Sequence, residues 1–502
     1  MADQMSQFVL PMFGRESESS KRVAKVPHLS GLAEKGAVFD NCYCNSPLCA
    51  PARASLVTGM RVRDHKAYGN GAEFRATVPT MMHHLKRNGY HTVVSGKTHF
   101  VGPDQLHGFD DRLTTDIYPS DFLWIPNWEE GVKHGPGTSV EKLKISGLCR
   151  TNNQIQYDTE VKNRAVEFLQ SYALGDNNAY EERPFFLMAS FTQPHESFQT
   201  IPKYWDLYND VDIPLPDQSI IENTIDHPHS RWVQTHHGVD RYQPTDDVIR
   251  TSIRAYLAMI SHVDDLIGEI LAELEVLGLS DNTMIIFTSD HGEMLGEHNM
   301  WYKRTFYDEN AKVPLLVSWP GTIPAGRTSE VVSHIDLQPT VLDLLGDGTN
   351  RNNDRKAFGV QGDSFKHLLT GTSGKWKNEA VIDYCGGGTA APMFIIRKDE
   401  WKYVYVYGFE PLLFNLAEDP HELRNRADDQ DQRERVTELH RRLLDGLDVE
   451  AFTEEIKQDQ KKRLFLQQIR NADTKKKHTW DFQPYVDASK QYVRGANKPV
   501  YC

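Results

Sequence analysis

The sequence predicts an α/β fold: a large mixed, mostly parallel sheet sandwiched by helices, followed by a smaller antiparallel sheet with a helix. Three observations carry this. First, His91–Ser95, Pro184–Phe191 and Thr283–Thr288 are near-continuous apolar or β-branched runs without alternation, the pattern of strands buried on both faces. Second, the segment from Thr251 to Leu277 keeps Ile253, Tyr256, Leu257, Ile260, Val263, Ile267, Ile270, Leu271 and Leu274 at helical spacing and is stopped by Gly278. Third, residues 380–384, 393–397, 401–407 and 412–416 read as short strands joined by short loops, backed by a helix over 432–447.

The 502 residues are too many for one small domain. A stretch rich in Gly, Asn, Asp and Lys at 344–376 marks a boundary, which divides the chain into 1–372, 373–450 and a charged, then aromatic, tail at 451–502. The net charge of −14 argues against a nucleic-acid or anionic-membrane surface, so an anionic substrate requires a locally basic pocket. Six cysteines in so long a chain make no disulfide framework. Cys42 and Cys44 form a C-x-C pair without the partner pair of a zinc site. No apolar run approaches the ~18 residues of a membrane span, and no signal peptide is visible. A cytoplasmic location is the expectation.

In chain order, Asp3 and Gln4 come first, and a functional Asp3 is expected to hang from a core strand upstream of this sequence. A frayed terminus is the alternative. Residues 27–34 read as a helix stopped by Gly36, and 37–39 as a strand. Cys49 stands just before Pro51 and good helix formers, with Arg53 one turn on. Proline is favoured at the first position of a helix. Cys49 is therefore expected at a helix N-terminus, where unpaired N–H groups and the dipole favour negative charge. A buried structural cysteine is the other reading of these residues. A helix over 80–88 and strands at 91–95, 184–191, 283–288 and 314–318 follow, and a further helix begins at Asp336. Three of these strands end in titratable residues: Lys97 and His99, then His195, then Asp290 and His291. Sites in open α/β sheets gather beyond the carboxyl ends of strands, so three such ends argue for one shared site. Asp and His at a strand end, with Asp3 and Gln4, are a donor set for a hard dication.

Cys49-x-Pro51-x-Arg53, continued by Leu56, Thr58 and Gly59, resembles the signature of the formylglycine-dependent sulfatases. The resemblance implies an alkaline phosphatase-like fold and oxidation of Cys49 to formylglycine by a formylglycine-generating enzyme. It implies one divalent metal, calcium foremost with manganese or magnesium as alternatives, held by Asp3, Gln4, Asp290, His291 and residue 49. It also implies Lys97 and Lys303 on the sulfate, Arg53 beside the nucleophile, His99 as the base that releases sulfate, and His195 near the leaving group.

Ser95–Phe109, Leu113–Pro119, the loop from Asn70 to Phe74 and the tail Trp480–Ser489 are similar to the choline sulfatase branch, in which the tail builds an oligomer. A homo-oligomer, dimer or tetramer, is the corresponding expectation, with residues 1–372 as the catalytic domain. Asn70, Trp124 and Asp383 are the expected contacts to a small organic sulfate. Trp124 and Trp128 would supply walls, and Asp383 or a tail aspartate the anion, of a cation–π box. The basic stretch Val132–Lys144, the loop Asp383–Gly388 and Gln193, where choline sulfatases usually have histidine, depart from that branch. Another alkyl, aryl or sugar sulfate thus stays open. So do a phosphonate monoester or phosphodiester hydrolase and a non-catalytic anion-binding protein.

Overall fold

The computed structural model describes residues 1–13, 22–135, 138–175, 183–346 and 357–472. Helix α1 (Pro27–Lys35) opens with proline at its first position and leads into β1 (Ala37–Tyr43). Then come α2 (Cys49–Thr58), α3 (Met81–Arg87), β2 (His91–Gly96), α4 (Asn153–Leu174), β3 (Phe185–Ser190), α5 (Pro228–His237), α6 (Asp246–Val276), β4 (Ile285–Thr288), β5 (Leu315–Ser318), β6 (Gly326–Ser333) and α7 (Leu337–Leu344). The second unit holds β7 (Glu379–Tyr384), β8 (Met393–Lys398), β9 (Trp401–Val406), β10 (Leu412–Asn415), α8 (Arg433–Leu443) and α9 (Val449–Ala472).

Strands β2 and β3 run parallel, from His91 opposite Phe185 to Gly96 opposite Ser190. In a second group β1 is parallel to β6, while β5 runs antiparallel to both β1 and β4. Met1 and Ala2 join the two groups. The Met1 ammonium donates to Ala189 O (2.8 Å) and Met1 O accepts from Phe191 N–H (2.9 Å). Ala2 N–H donates to Thr288 O (3.1 Å), and Ala2 makes a parallel bridge to Ser289. These two residues, immediately ahead of Asp3, bring β3 and β4 together at their carboxyl ends.

Next to them an apolar cavity of about 390 Å³ lies between β3 and β4, lined by Leu187, Ala189, Ile285 and Phe287 among others. It corrects one expectation. The run at 184–191 reads as buried on both faces, yet Phe185 to Ala189 are only half-buried because one edge of β3 faces this space.

Helices cover both faces. On one side α1, α4 and α6 bury Leu29, Val161, Ile253, Tyr256 and Ile260 against Val38. On the other α2, α3 and α7 bury Val57, Met82, Leu85 and Val341 against Phe39. Successive residues of β1 thus serve opposite layers, as a strand's period of two requires. Thr245 caps α6 by accepting from Val248 N–H, and Asp246 and Asp247 favour its first turn.

The antiparallel order β7-β8-β9-β10 agrees with the expectation for the second unit. One face packs Ile382, Ile395 and Val404 against Tyr43, Leu48 and Phe306. The other packs Val381, Phe394 and Tyr403 under Leu439 and Leu443 of α8 and Phe452 and Ile456 of α9. Residues 451–472, read as the start of a charged tail, are therefore helix. Arg463, about four turns into α9, donates from Nη1 to Gly71 O (2.7 Å), tying the helix to the loop that carries Asn70. The aromatic tail beyond 472 lies outside the described residues.

A buried ion cluster joins the two units. Lys402 Nζ stands 2.9 Å from Asp308 and 2.7 Å from Glu422, and Tyr43 donates its hydroxyl to Asp308 (3.0 Å). Removing the cation leaves two buried carboxylates without their counter-charge, a loss worth about 3–5 kcal/mol. Lys402→Met is expected to lower unfolding stability by that amount in urea titration; a loss below about 1 kcal/mol contradicts this role.

Candidate active site

Helix α2 begins at Cys49, and all ten of its residues are buried. Leu48 at the N-cap has no oxygen to offer the first N–H groups. Asn70 supplies one instead: its Oδ1 accepts from Ala50 N–H (3.1 Å). Pro51 falls at the third helical position, not the first as expected, and removes another of the four N–H groups that have no partner inside the helix. Cys49 is thereby held at the positive end of α2.

The strand ends converge on it. Gly96, at φ +112°, closes β2 so tightly on β3 that a Cβ there would lie 2.0 Å from Ser190 O. This turn delivers Lys97. Asp116 shapes the next two residues by accepting from the N–H groups of Thr98 and His99, each at 2.8 Å. Lys303 Nζ lies 3.3 Å from Cys49 Sγ, and His291 Nε2 lies 3.3 Å away on another side. Asp3 Oδ1 is 3.6 Å from the same sulfur and also pairs with Lys97. Burial raises the Cys49 pKa, but the charges of Lys303, Lys97 and His291 more than offset it and hold the thiol well below its ordinary value.

Arg53 is buried one turn into α2. Its Nε donates to Asp290 Oδ2 (2.8 Å), and Nη1 donates to Lys97 O (2.6 Å) and Ser190 Oγ (2.9 Å). One guanidinium thus fastens the nucleophile helix to the ends of β2, β3 and β4. Most of its donors are spent on this frame, which makes Arg53 chiefly a positioning residue. Burial works against ionisation of Asp290, yet Arg53 and His291 hold its carboxyl well below the usual range. Asp3 is pushed up to about 6 by burial, then by Asp290 and Cys49, with Lys97 opposing.

Gln4 is fixed by opposed partners. Its Nε2 donates to Glu196 (3.0 Å) and to Glu293, while Oε1 accepts from Lys303 (2.6 Å). Its backbone N–H donates to Asp290 Oδ1 (2.9 Å). The amide oxygen therefore faces the cluster. Burial, with Glu196 nearby, pushes Glu293 up to about 7.

Donor atoms of Asp3, Cys49, Asp290 and His291 all lie within 4.8 Å of one another. His291 Nδ1 is 3.0 Å from Gly292 O, which leaves Nε2 directed at the cluster. Carboxylate and amide oxygens with one imidazole fit a hard or borderline divalent cation. Among the described residues no other group of histidines, cysteines and carboxylates is so arranged. Cys42 and Cys44 are buried free thiols.

His195 lies across the cluster. Its Nδ1 is 2.8 Å from Glu196 O, and Nε2 lies 2.8 Å from Lys303 Nζ and 3.2 Å from the Tyr118 hydroxyl. The lysine can only donate, so Nε2 accepts and the resting ring carries its proton on Nδ1. His99 is buried with its ring stacked on Tyr118 at 4.5 Å. Burial lowers its pKa, and Cys49 partly offsets that. Trp124 meets His99 edge-on at 6.1 Å and Tyr118 at 5.8 Å, forming an aromatic wall.

Two of the expected substrate contacts are employed otherwise. Asn70 caps α2. Asp383 is buried and paired with Arg63, whose Nε donates at 2.9 Å and whose Nη2 donates at 2.5 Å. Its charge is thus balanced by Arg63. Trp128, the other expected wall, is buried in the core of the second unit. Tyr118, Asp116, Ser190, Glu196 and Glu293 belong to the site and were not singled out from sequence. Two had a signal: Glu196 follows His195 directly, and Glu293 follows Asp290-His291-Gly292.

A family model described as Sulfatase matches residues 5–347, and one described as N-sulphoglucosamine sulphohydrolase, C-terminal, matches residues 296–448. The chain is 36% identical over 481 residues to the choline-sulfatase of Rhizobium meliloti (strain 1021), covering 93% of this chain and 90% of that protein. It is 29% identical over 436 residues to arylsulfatase K of Danio rerio, covering 82% and 77%. Among solved structures, the phosphonate monoester hydrolase SpPMH from Silicibacter pomeroyi has a TM-score of 0.68 at 23% identity, covering 88% of this chain and 93% of that one. BT4656, solved in complex with its substrate D-glucosamine-2-N,6-O-disulfate, has a TM-score of 0.68 at 21% identity, covering 92% and 97%. These two likenesses show a shared fold. With a matched sulfatase model over most of its length and a sulfatase relative along nearly all of it, the chain belongs to the sulfatase family and is a sulfuric ester hydrolase on the alkaline phosphatase-like fold.

Proposed function

We propose that the chain hydrolyses a small organic sulfate ester to an alcohol and inorganic sulfate, using formylglycine made from Cys49. The observation that carries this reading is the convergence of Lys97, Lys303 and His291 on a buried cysteine at a helix N-terminus. Asp3, Gln4, Asp290 and His291 would hold a divalent cation, which supplies positive charge beside the oxygen of residue 49. Conversion of Cys49 supplies a hydrated aldehyde at that position, one oxygen to bond sulfur and the other to expel sulfate afterwards. The converting enzyme is the partner that maturation requires.

The residues present divide the remaining work. Lys97 and Lys303 neutralise non-bridging oxygens of the sulfate, in a buried site where such charges act strongly. Lys303 at rest donates to Gln4, Cys49 and His195. Turning toward a sulfate oxygen frees His195 Nε2 to take up a proton from solvent, and the cationic ring then gives that proton to the departing alkoxide. His99 has neither ring nitrogen in a hydrogen bond to another side chain or backbone group among the described residues. It can therefore take the proton from the residue-49 hydroxyl as the sulfate leaves. The aromatic wall of Tyr118 and Trp124 borders the leaving-group side.

The matured protein is expected to turn over 4-nitrophenyl sulfate faster than a 4-nitrophenyl phosphonate monoester, and Cys49→Ala to reduce sulfate release to background. An active Cys49→Ala protein, or a preference for the phosphonate, overturns the reading. His195→Ala separates the two histidines. Loss of the acid is expected to slow an alkyl sulfate by about 10²–10⁴-fold and 4-nitrophenyl sulfate, whose leaving group needs no proton, by less than about tenfold. Equal losses on both substrates would contradict the assignment.

A further inference from the structure

Around the N-terminus of α2 the buried cations fall into two sets. Arg53 pairs with Asp290, Lys97 with Asp3 and Arg63 with Asp383. Lys303 and Arg304, which are consecutive, have no carboxylate within 4.0 Å among the described residues. For Lys303 the proposed function supplies the anion: it is the sulfate. Arg304 poses the same question and has no answer among the described residues.

Arg304 is 7% exposed. Its backbone N–H donates to Pro47 O (3.2 Å), in the loop that enters α2. Nη1 lies 3.3 Å from His237 Nε2, and the Tyr384 hydroxyl, which donates to Gly387 O, lies within reach of the guanidinium's charge. Nε has no partner, and neither has Nδ1 of the fully buried His237. Burial and the charge of Arg304 keep both His236 and His237 neutral, so neither adds a competing charge. An uncompensated buried guanidinium is costly unless an oxyanion completes it.

The surroundings also fit a ligand. The loop Gly386–Gly388 lies against the Arg304 side chain. A Cβ on Gly388, whose φ is +84°, would lie 3.0 Å from Arg304 Cδ, and one on Gly386 would lie 2.7 Å from the Leu48 side chain. This is the glycine loop that departs from the choline sulfatase branch. The basic stretch Val132–Lys144 borders the same place: His236 Nδ1 is 3.1 Å from Lys133 O, and the ring of His134 packs on Gly238. Arg304 follows Lys303 directly and its backbone is tied to the loop that enters α2, so the guanidinium and the sulfate site are neighbours.

We propose that Arg304, backed by His237 and flanked by Tyr384 and Gly388, receives a second anionic group on the alcohol half of the substrate. The preferred esters are then sulfates of acidic alcohols, bearing a carboxylate or a further sulfate that a guanidinium can grip with two hydrogen bonds. A quaternary ammonium is disfavoured in the same pocket by like charge. The proposal rests on the sulfatase reading of Cys49 and names the substrate class of that site.

The test uses matured protein and two pairs of probes: 3-sulfooxybenzoate and 4-sulfooxybenzoate, each against its own methyl ester, with choline sulfate alongside. In at least one pair the acid is expected to exceed the ester in kcat/KM by about tenfold or more, mainly through KM, and to exceed choline sulfate. Arg304→Gln is expected to bring that ratio near one, Arg304→Lys to retain part of it, and Tyr384→Phe to lower it. The wild-type ratios stand alone if a variant fails to fold. Ratios at or below one in both pairs, a preference for choline sulfate, or a ratio unmoved in folded Arg304→Gln overturn this inference while leaving the sulfatase reading intact. If no ester is turned over, both fall.

Discussion

The structure depends on one buried guanidinium. Arg53 reaches Asp290, the carbonyl of Lys97 and the hydroxyl of Ser190, which stand at the ends of three different strands. Its own helix carries Cys49 one turn earlier. The chemistry assigned to this site needs a nucleophile, a metal ligand and a sulfate-binding cation held in register, and a single planar group with fixed donor directions sets that register. Being 1% exposed and paired, it is also a group that a smaller cation cannot replace without leaving a donor or an acceptor unmet.

A second constraint is electrostatic. The chain carries a net charge of −14, yet the space around residue 49 is lined by Lys97, Lys303, His291 and Arg53 against Asp3 and Asp290. Its negative charge is spent beneath the cluster, where Glu196 and Glu293 orient the amide of Gln4 and Asp116 shapes the Lys97–His99 turn. Anion recognition here comes from a few buried cations in a low-dielectric site, where they act more strongly than surface charge would. The same reasoning, applied one residue beyond Lys303, leads to Arg304.

The parts legible in the sequence were those with a strong local signature. Apolar runs ending in Lys97, His195 and Asp290-His291 announced parallel strands and a shared site, because strand burial and strand-end chemistry both leave marks within ten residues. Helix α9 and strand β6 left weaker ones. The first half of β6 is largely exposed and polar, so it has no apolar run, and α9 buries only a narrow stripe that includes Phe452 and Ile456. Roles set by partners distant in sequence were not legible. Asp383 looks like a free anion until Arg63 is seen beside it, and Asn70 looks like a substrate contact until its oxygen is found on the Ala50 N–H. Tyr118 and Glu293 gained meaning only when the fold set them against His195 and Gln4.

The central claim is that residue 49 acts as an aldehyde and not as a thiol. The direct test is the mass of the peptide containing residue 49, from protein made in a host with a formylglycine-generating enzyme. The account predicts a peptide lighter than the cysteine form, with oxygen in place of sulfur and two fewer hydrogens, in proportion to sulfate-releasing activity. An unmodified thiol in protein that fully releases sulfate would contradict it.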